Sequence, residues 1–219
     1  MLNGSSSASI GQYLRQIRKF PLLEMEEECR LAKRWRENAD GQALHRLLNS
    51  HLRLVVSVAR SYRGYGLPLS ELISEGNLGL MQAADRFDPQ RGSRFASYAV
   101  WWIKAAIRDY VLKSWSVVKL GQTKNHRTLF FKLRGLKNRI TALRGGDSQP
   151  DEAKLIADHL GIAEHDVVYM SGRLEGDVSL NASIREEDHA GQWQDRLADE
   201  GPDQEKLLLE NDEFKHRKN

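Results

Sequence analysis

Aromatic and basic side chains share one face of a helix predicted for residues 95–113. At about 100° per residue, the apolar residues that could face a core form one side of this helix, and most of the aromatic residues form another. The core side comprises Ala99, Ile103, Ala106, Ile107 and Tyr110. The other side comprises Tyr98, Trp101, Ala105 and Arg108, with Lys104 beside them and Phe95 and Trp102 at the border. An exposed aromatic cluster keeps apolar surface in contact with water, which is unfavourable, and this favours a binding role for this face.

Aromatic rings beside cations suit single-stranded nucleic acid. Each base can stack on a ring for about 1–3 kcal/mol, while Lys and Arg follow the phosphates. Two or three such stacks reach the few kcal/mol needed to expose a base from a duplex, so strand opening without ATP is feasible. The alternative is that Trp101 and Trp102 pack against another helix of the same chain.

The net charge of +3 is the sum of three unequal blocks. Residues 1–90 contain 12 Lys and Arg and 10 Asp and Glu, residues 91–146 contain 13 and 1, and residues 147–219 contain 8 and 19. Their net charges are therefore +2, +12 and −11. The middle block should attract polyanions, whereas the acidic block should be repelled by them or imitate them. The alternative is that the charged residues only solvate helix surfaces. Such surfaces normally carry charges of both signs, so this alternative poorly explains a middle block that contains a single acidic residue.

The elements that must position the aromatic face are predicted to be helical, because apolar residues recur at spacings of three and four in an all-α pattern. Predicted helices cover about 9–19, 24–38, 42–62, 70–87, 95–113 and 123–144, with Ser70 as an N-cap and two short helices within 151–174. His51 lies on an apolar stripe and is interpreted as a core histidine, and Cys29 as a small core residue. Residues 175–203 are predicted to form an extended acidic loop, followed by a helix from about residue 204.

Several function classes are excluded by the composition. The longest apolar run, residues 98–103, is far shorter than the roughly 20 residues of a membrane span. The N-terminus lacks the features of a secretory signal, and a lone cysteine cannot form an intrachain disulfide, so a cytosolic location is expected. The sequence has no phosphate loop, HExxH motif or cysteine pair, and its histidines lack ligand spacing. We therefore predict no enzyme activity, no metal and no other cofactor.

Long motifs within these helices carry a family resemblance. The sequence ELISEGNLGLMQAADRFDPQRGSRFASYAVWWIKAAIRDYV resembles domain 2 of bacterial sigma factors of the sigma-70 superfamily. The following SWSVVKLGQTKNHRTLFFKLR is similar to the heat-shock subgroup, whose signature reads approximately QRKLFFNLR. Upstream, HLRLVVSVARSYRGYGLP and YLRQIRKFPLLEMEEE extend the resemblance, which covers roughly residues 10–175. It implies a factor that binds core RNA polymerase and recognises and melts the promoter −10 element.

The resemblance also implies a domain organisation. Residues 1–38 would form region 1.2-like helices, 39–115 sigma domain 2, 116–176 sigma domain 3, and 177–219 a region 3.2-like finger or linker. The acidic loop 185–199 resembles the finger that enters the polymerase active-site channel. Domain 4, which reads the −35 element in family members, is expected to be absent from this sequence.

A helix-turn-helix spacing occurs in LIADHLGIAEHDVV, at Ala157, Gly161 and Val167. The second helix would begin with Glu164 and Asp166, whose charges oppose phosphate. We therefore favour a structural helix pair, which matches sigma domain 3, over a DNA-reading motif.

Eight residues are implied in −10 binding and melting: Phe95, Ser97, Tyr98, Trp101, Trp102, Lys104, Ala105 and Arg108. By resemblance, Tyr98 would stack on a flipped adenine, and the two tryptophans would form a wedge at the upstream fork. Ser93 stands where housekeeping members often have tyrosine. Ala105 and Arg108 stand where members read the upstream end of the −10 duplex. Arginine suits bidentate contact with guanine, in keeping with the GC-containing −10 element that the heat-shock resemblance implies.

Two further segments are implied in binding proteins. Contact with the clamp helices of the largest catalytic polymerase subunit is assigned to Glu71, Ser74, Glu75, Asn77, Leu80 and Met81, with Leu78 packing inward. The heat-shock signature segment contains Arg127, Leu129, Phe130, Phe131, Leu133 and Arg134. Its apolar stripe is predicted at Leu129, Leu133, Leu136, Ile140 and Leu143, with Phe131 on the opposite, basic face and contacting a partner. In the subgroup this segment is tied to polymerase binding and to control by chaperones and a regulatory protease.

One competing interpretation shares the same resemblance. The chain could be a truncated interaction module that occupies core polymerase, or binds chaperones, without productive initiation.

Overall fold

The structure, a computed structural model, describes residues 3–119, 123–144, 152–174, 176–183 and 191–198, together with 201, 205, 208–209, 212–214 and 217. Side chains are described from residue 10, and those of residues 141–144 are not. The chain divides into two compact units, Met1–Glu175 and Gly176–Asn219. The first unit contains α1 (Asn3–Ile17), α2 (Met25–Asn38), α3 (Gly41–Arg60), α4 (Leu69–Arg86), α5 (Phe95–Ser114), α6 (Lys124–Arg144), α7 (Glu152–Leu160) and α8 (Glu164–Arg173). The predicted all-α fold class is confirmed. The four-part domain division stays a prediction.

Local sequence signals explain where these helices begin. The Asp40 side chain caps α3 by accepting hydrogen bonds from the backbone N–H groups of Gln42 and Ala43. The Ala43 hydrogen bond is the main reason why the pKa of Asp40 lies below its ordinary value. Pro68, whose fixed φ suits an extended N-cap, precedes α4. The prediction of Ser70 as this cap was wrong, because Ser70 already lies inside the first turn.

The larger hydrophobic core of the first unit lies between α3, α4 and α5, with α1 and α2 packed on α3. Its fully buried side chains include Leu47, Val55, Leu72, Ile103 and Ile107. Among the described residues, no helix combines the length and apolarity that a bilayer span requires. The core therefore fixes one side of α5 and leaves its other side outward.

A smaller hydrophobic core joins α6, α7 and α8. Gly161 adopts a φ of 65°, which favours glycine, in the turn between α7 and α8. Ala157 and Val167 are buried, and Asp166 lies 3.4 Å from Nε2 of His126 on α6. The predicted helix pair is therefore present, and the Asp166 carboxylate faces another helix of this unit.

The described part of the second unit contains paired backbone. Ser183 and Gln192 form an isolated antiparallel bridge, and a 3₁₀ turn covers Trp193–Arg196. The N–H of Trp193 donates to the carbonyl of Ala182 at 3.2 Å. Residues 182–183 are thus paired with residues 192–193 inside the predicted extended loop 175–203, while residues 184–190 and 199–200 lie outside the described residues.

Two glycines let α4 approach α5 closely. A Cβ added to Gly79 would lie 2.7 Å from the Trp102 carbonyl oxygen and 2.9 Å from Ile103 Cα, and backbone atoms cannot rotate away. We expect Gly79→Ala to lower the free energy of unfolding by about 2–3 kcal/mol, measured by urea denaturation. The control is Gly135→Ala in α6, where the added methyl meets open space and should raise stability by up to about 1 kcal/mol. Equal stability of Gly79→Ala and wild type would contradict the close packing.

Candidate nucleic-acid interface

The structure divides the aromatic residues of α5 between solvent and core. Trp101 is 78% exposed, Tyr98 and Trp102 are half-buried, and Phe95 is fully buried at 0% exposure. On the core side, Ala99, Ile103 and Ile107 are fully buried, as the helical spacing predicted. The alternative in which both tryptophans are internal therefore fails for Trp101.

Phe95 does not belong to the exposed face, and its predicted place there was wrong. Its ring packs edge-on against His51, with centroids 4.9 Å apart, and against Phe87 at 5.2 Å. Phe95 is the first residue of α5, and its ring lies between α3 and the segment that follows α4. It anchors the N-terminal end of the aromatic helix. His51 is a core histidine, as predicted.

Tyr98 and Trp102 are each supported by protein on one side. The Tyr98 ring lies 5.7 Å from that of Phe87 and 6.3 Å from that of Trp102. The Tyr98 hydroxyl donates to the Arg86 carbonyl at 3.4 Å, and the Arg86 guanidinium sits 4.6 Å from the Trp102 ring centre. Such support limits the motion of the Tyr98 and Trp102 rings, so both are preorganised beside the exposed Trp101 in the sequence of α5.

Polar residues of α5 continue this face towards the C-terminus. Ser97, Lys104, Ala105 and Arg108 are exposed. Nε of Arg108 donates to the Tyr62 hydroxyl at 3.0 Å, and its guanidinium carbon lies 5.4 Å from the Phe131 ring centre. A cleft of about 440 Å³ lies here between α5 and α6. Its lining residues include Ala105, Arg108, Asp109, Arg127, Phe131 and Lys132.

The N-terminus of α5 is held by a buried carboxylate from α2. Glu28 is 2% exposed, and its Oε2 accepts the backbone N–H of Phe95 at 3.1 Å. Arg94 donates to both carboxylate oxygens, at 2.7 Å to Oε1 and 3.1 Å to Oε2. Nε2 of His51 lies 3.4 Å from Oε1. One side chain therefore links α2, α3 and the start of α5.

The electrostatics of this network favour the ionised carboxylate. Burial acts to raise the pKa of Glu28, but the hydrogen bonds from Arg94 and Phe95 and the electrostatic interactions with His51 and Arg94 outweigh it. The pKa of Glu28 therefore lies below its ordinary value. The hydrogen bond between Arg94 and Glu28 also raises the pKa of Arg94.

Two leucines of α4, Leu78 and Leu80, lie on faces other than those predicted. Glu71, Ser74 and Met81 are exposed, and Glu75 and Asn77 are half-buried. Leu80 is buried in the core, so its predicted contact with a partner was wrong. Leu78, predicted to face inward, is instead 51% exposed. The cause is that Gly76 and Gly79 occupy the face of α4 that contacts α5.

The heat-shock signature segment lies in α6 and contributes to both cores. Leu129 and Leu133 are buried in the smaller core, and Phe130 in the larger one. Phe131 was predicted to contact a partner, but it is half-buried against Tyr62 and Tyr65, at ring distances of 6.4 and 5.6 Å. Leu136 and Ile140 are half-buried in the predicted stripe, and Leu143 lies outside the described side chains.

The remaining signature residues are basic and outward. Arg127 and Arg134 are exposed, and Nη1 of Arg134 donates to the Gly64 carbonyl at 3.2 Å. Burial raises the pKa of the nearby Tyr65 hydroxyl, which favours the neutral phenol. The exposed surface of this segment is therefore cationic, and its aromatic rings face the protein.

Four residues of this region were not singled out from the sequence: Glu28, Tyr62, Arg86 and Arg94. Two of them carried a usable signal. Glu28 lies on the same stripe of α2 as the buried Leu31 and Ala32, where a carboxylate needs a partner. Tyr62 continues the stripe of Val55, Val58 and Ala59 beyond the end of α3.

Two family descriptions match this chain. Sigma-70 region 2 matches residues 47–117, and Sigma-70 factor, region 1.2 matches residues 9–39. The first match contains α4 and α5 with the aromatic face, and the second contains α2 with Glu28.

Three curated relatives are similar over most of the chain. The RNA polymerase sigma factor RpoH of Rhizobium radiobacter is 53% identical over 215 residues, which cover 98% of this chain and 72% of the relative. The RpoH protein of Zymomonas mobilis subsp. mobilis is 53% identical over 207 residues, covering 94% and 68%. The RNA polymerase sigma-C factor of Myxococcus xanthus is 44% identical over 187 residues, covering 85% and 63%.

Proposed function

This chain belongs to the sigma-70 family of RNA polymerase sigma factors, which are non-enzymatic transcription initiation factors, and we propose that it recognises the promoter −10 element and opens its strands with the exposed face of α5. In this proposal the chain acts while bound to core RNA polymerase. Promoter DNA and core polymerase are its principal partners, and it uses no cofactor of its own.

The exposure of Trp101 is the observation that carries the proposal. A tryptophan with 78% of its surface exposed, on a helix that begins a strongly basic block, has an unsatisfied apolar face. A stacked base covers that face and gains about 1–3 kcal/mol. The neighbouring rings of Tyr98 and Trp102 are already braced, so little conformational freedom is lost when a base arrives.

Each outward residue of α5 then has a role in the open complex. Tyr98 stacks on the flipped base, and Trp101 and Trp102 stand at the upstream fork. Lys104 neutralises phosphate, with Ser97 beside the strand, and Arg108 reads a guanine from the groove next to Ala105. Phe95 supports this face from the core and is not assigned a contact with DNA.

The outer face of α4 is proposed to dock on the clamp helices of the largest catalytic subunit. Glu71, Ser74 and Met81 are exposed, with Glu75 at the margin. Leu78 replaces Leu80 as the apolar centre of this contact, because its side chain is outward. An exposed leucine and methionine within a polar rim are typical of a protein-binding surface.

Heat-shock regulation is proposed for the signature segment. RTLFFKLR at residues 127–134 resembles the heat-shock signature, and relatives named RpoH support this assignment. Because Leu129, Phe130 and Leu133 are buried and Phe131 is half-buried, chaperones and a regulatory protease would meet the cationic surface around Arg127, Lys132 and Arg134.

The proposal is tested by strand binding of the chain loaded on core polymerase. A fluorescent single strand with the non-template −10 sequence is titrated with wild type, Trp101→Ala and Tyr98→Ala. Removal of a stacking ring is expected to weaken binding by about five- to 150-fold for each variant. Tyr169→Ala is the matched control, because it removes an exposed aromatic ring on α8 and should leave affinity unchanged.

Equal affinities of wild type, Trp101→Ala and Tyr98→Ala would contradict the melting role. If all three still bound core polymerase, the result would favour an interaction module that occupies polymerase without opening DNA. The affinity of each variant for core polymerase is measured in parallel by titrating the fluorescently labelled chain with core polymerase. This measurement shows whether a variant that leaves strand binding unchanged still binds polymerase.

A further inference from the structure

We propose that Tyr62 and Phe131 are positioning residues that hold Arg108 in the orientation needed to read guanine. This inference rests on the proposed function of α5, because it assigns a cause to the specificity of one of its contacts. Neither positioning residue touches DNA in this scheme. They act from the segment after α3 and from α6.

The hydrogen bond to Tyr62 uses one particular nitrogen of the guanidinium. Nε of Arg108 donates to the Tyr62 hydroxyl at 3.0 Å. With Nε engaged, the two terminal amino groups form the outward end of the side chain. That end is the planar fork that matches O6 and N7 of guanine in the major groove.

Phe131 restricts rotation of the guanidinium plane of Arg108. The guanidinium carbon lies 5.4 Å from the Phe131 ring centre, within the range of a cation–π contact. A hydrogen bond at Nε alone still permits rotation of the guanidinium plane. Contact with the ring restricts that rotation.

Both positioning residues are themselves restrained. Tyr62 is buried, and its ring meets that of Phe131 edge-on at 6.4 Å. Phe131 also meets Phe130 edge-on at 5.0 Å, and Phe130 is buried. The orientation of Arg108 is therefore set by a packed aromatic cluster, which lowers the entropy lost when it binds a base.

The surroundings of Arg108 leave room for a base edge. It lines the cleft of about 440 Å³ between α5 and α6, where the small side chain of Ala105 leaves space beside it. Arg127 and Lys132 supply positive charge from α6, and Asp109 supplies one negative charge from α5. The excess of cations favours a DNA backbone at this cleft.

The test measures base preference of the polymerase-bound chain on −10 fork duplexes. Each upstream base pair is changed between G·C and A·T, and guanine is also replaced by 7-deazaguanine, which lacks the N7 acceptor. At one position, Arg108→Ala should reduce the ratio of the affinities for the G·C and A·T duplexes by about five- to 150-fold. Tyr62→Phe should lower the preference at that same position by about fivefold and leave the A·T duplex affinity unchanged. Phe131→Leu should have a smaller effect at that position.

Tyr65→Phe is the matched control, because it removes a hydroxyl from the same cluster and leaves the Tyr62–Arg108 hydrogen bond intact. A Tyr62→Phe variant that keeps the full guanine preference, while Arg108→Ala loses it, would overturn the positioning role and leave the proposed function standing. If Tyr62→Phe weakened binding to every duplex by the same factor, the positioning role would also be overturned, because a purely structural role of Tyr62 would affect all duplexes equally. If Arg108→Ala kept its preference, guanine reading and positioning would both fail, whereas melting is judged separately by Trp101→Ala.

Discussion

Replacement of Phe130 by alanine is expected to lower the free energy of unfolding by about 3–5 kcal/mol, the usual cost of emptying a large aromatic site. Phe130 is 1% exposed. Its ring stacks on Tyr65 at 5.4 Å with a 19° angle between planes, and it meets Trp115 edge-on at 5.2 Å. Urea denaturation of the purified chain, followed by tryptophan fluorescence and circular dichroism, measures the loss.

The neighbouring positions supply graded controls for this prediction. Phe131→Ala should cost less than Phe130→Ala, since Phe131 is only half-buried, and Lys132→Ala should stay within about 0.5 kcal/mol of wild type. A Phe130→Ala variant with wild-type stability and weakened polymerase binding would contradict the buried role. It would make Phe130 a contact residue.

The buried position of Phe130 changes how the signature segment is interpreted. Three of its apolar residues, Leu129, Phe130 and Leu133, fill two separate cores. A helix that contributes to both cores couples their stabilities, so a substitution in this segment can alter partner binding through folding alone. Only effects at Arg127, Lys132 or Arg134 with unchanged stability would identify a direct contact.

The helices of the first unit could be predicted from the sequence because periodicity is local. The core side of α5 was correct at Ala99, Ile103 and Ile107. The register of α4 was wrong because glycine gives no apolar signal. Gly76 and Gly79 form the contact with α5 by having no side chain, and Leu78 is consequently on the outside.

Long-range contacts explain the other differences. A helical wheel placed Phe131 correctly opposite the Leu129 stripe, but it could not show that Tyr62 and Tyr65 cover that side. Phe95 is similar, since its partners His51 and Phe87 lie on or after other helices. Half of a helix surface can be buried by residues distant in sequence, and no local pattern contains that information.

Replacement of Glu28 by glutamine should lower the free energy of unfolding near neutral pH by about 3 kcal/mol. An amide cannot accept from Arg94 with both of its terminal atoms, and it weakens the cap on the Phe95 N–H. Because this cap begins α5, the same variant should also reduce −10 strand binding. Denaturation and the strand titration together measure both effects.

The pH dependence of this loss has a definite sign. The folded-state pKa of Glu28 is lower than its ordinary value, so its contribution is complete above the unfolded pKa and disappears as the pH falls through the folded pKa. The stability difference between wild type and Glu28→Gln should therefore be largest near pH 7 and shrink below about pH 4.3. Urea midpoints recorded from about pH 7 to about pH 3 show this convergence directly.

Glu26→Gln separates the buried network from a general charge effect. Glu26 lies in the same first turn of α2 but is exposed, so the same chemical change should alter stability by less than about 0.5 kcal/mol at every pH. A Glu28→Gln deficit that grew as the pH fell would require a raised folded-state pKa. It would mean that burial outweighs the hydrogen bonds from Arg94 and Phe95, and the ionised carboxylate could not then be what fastens the start of the aromatic helix to α2.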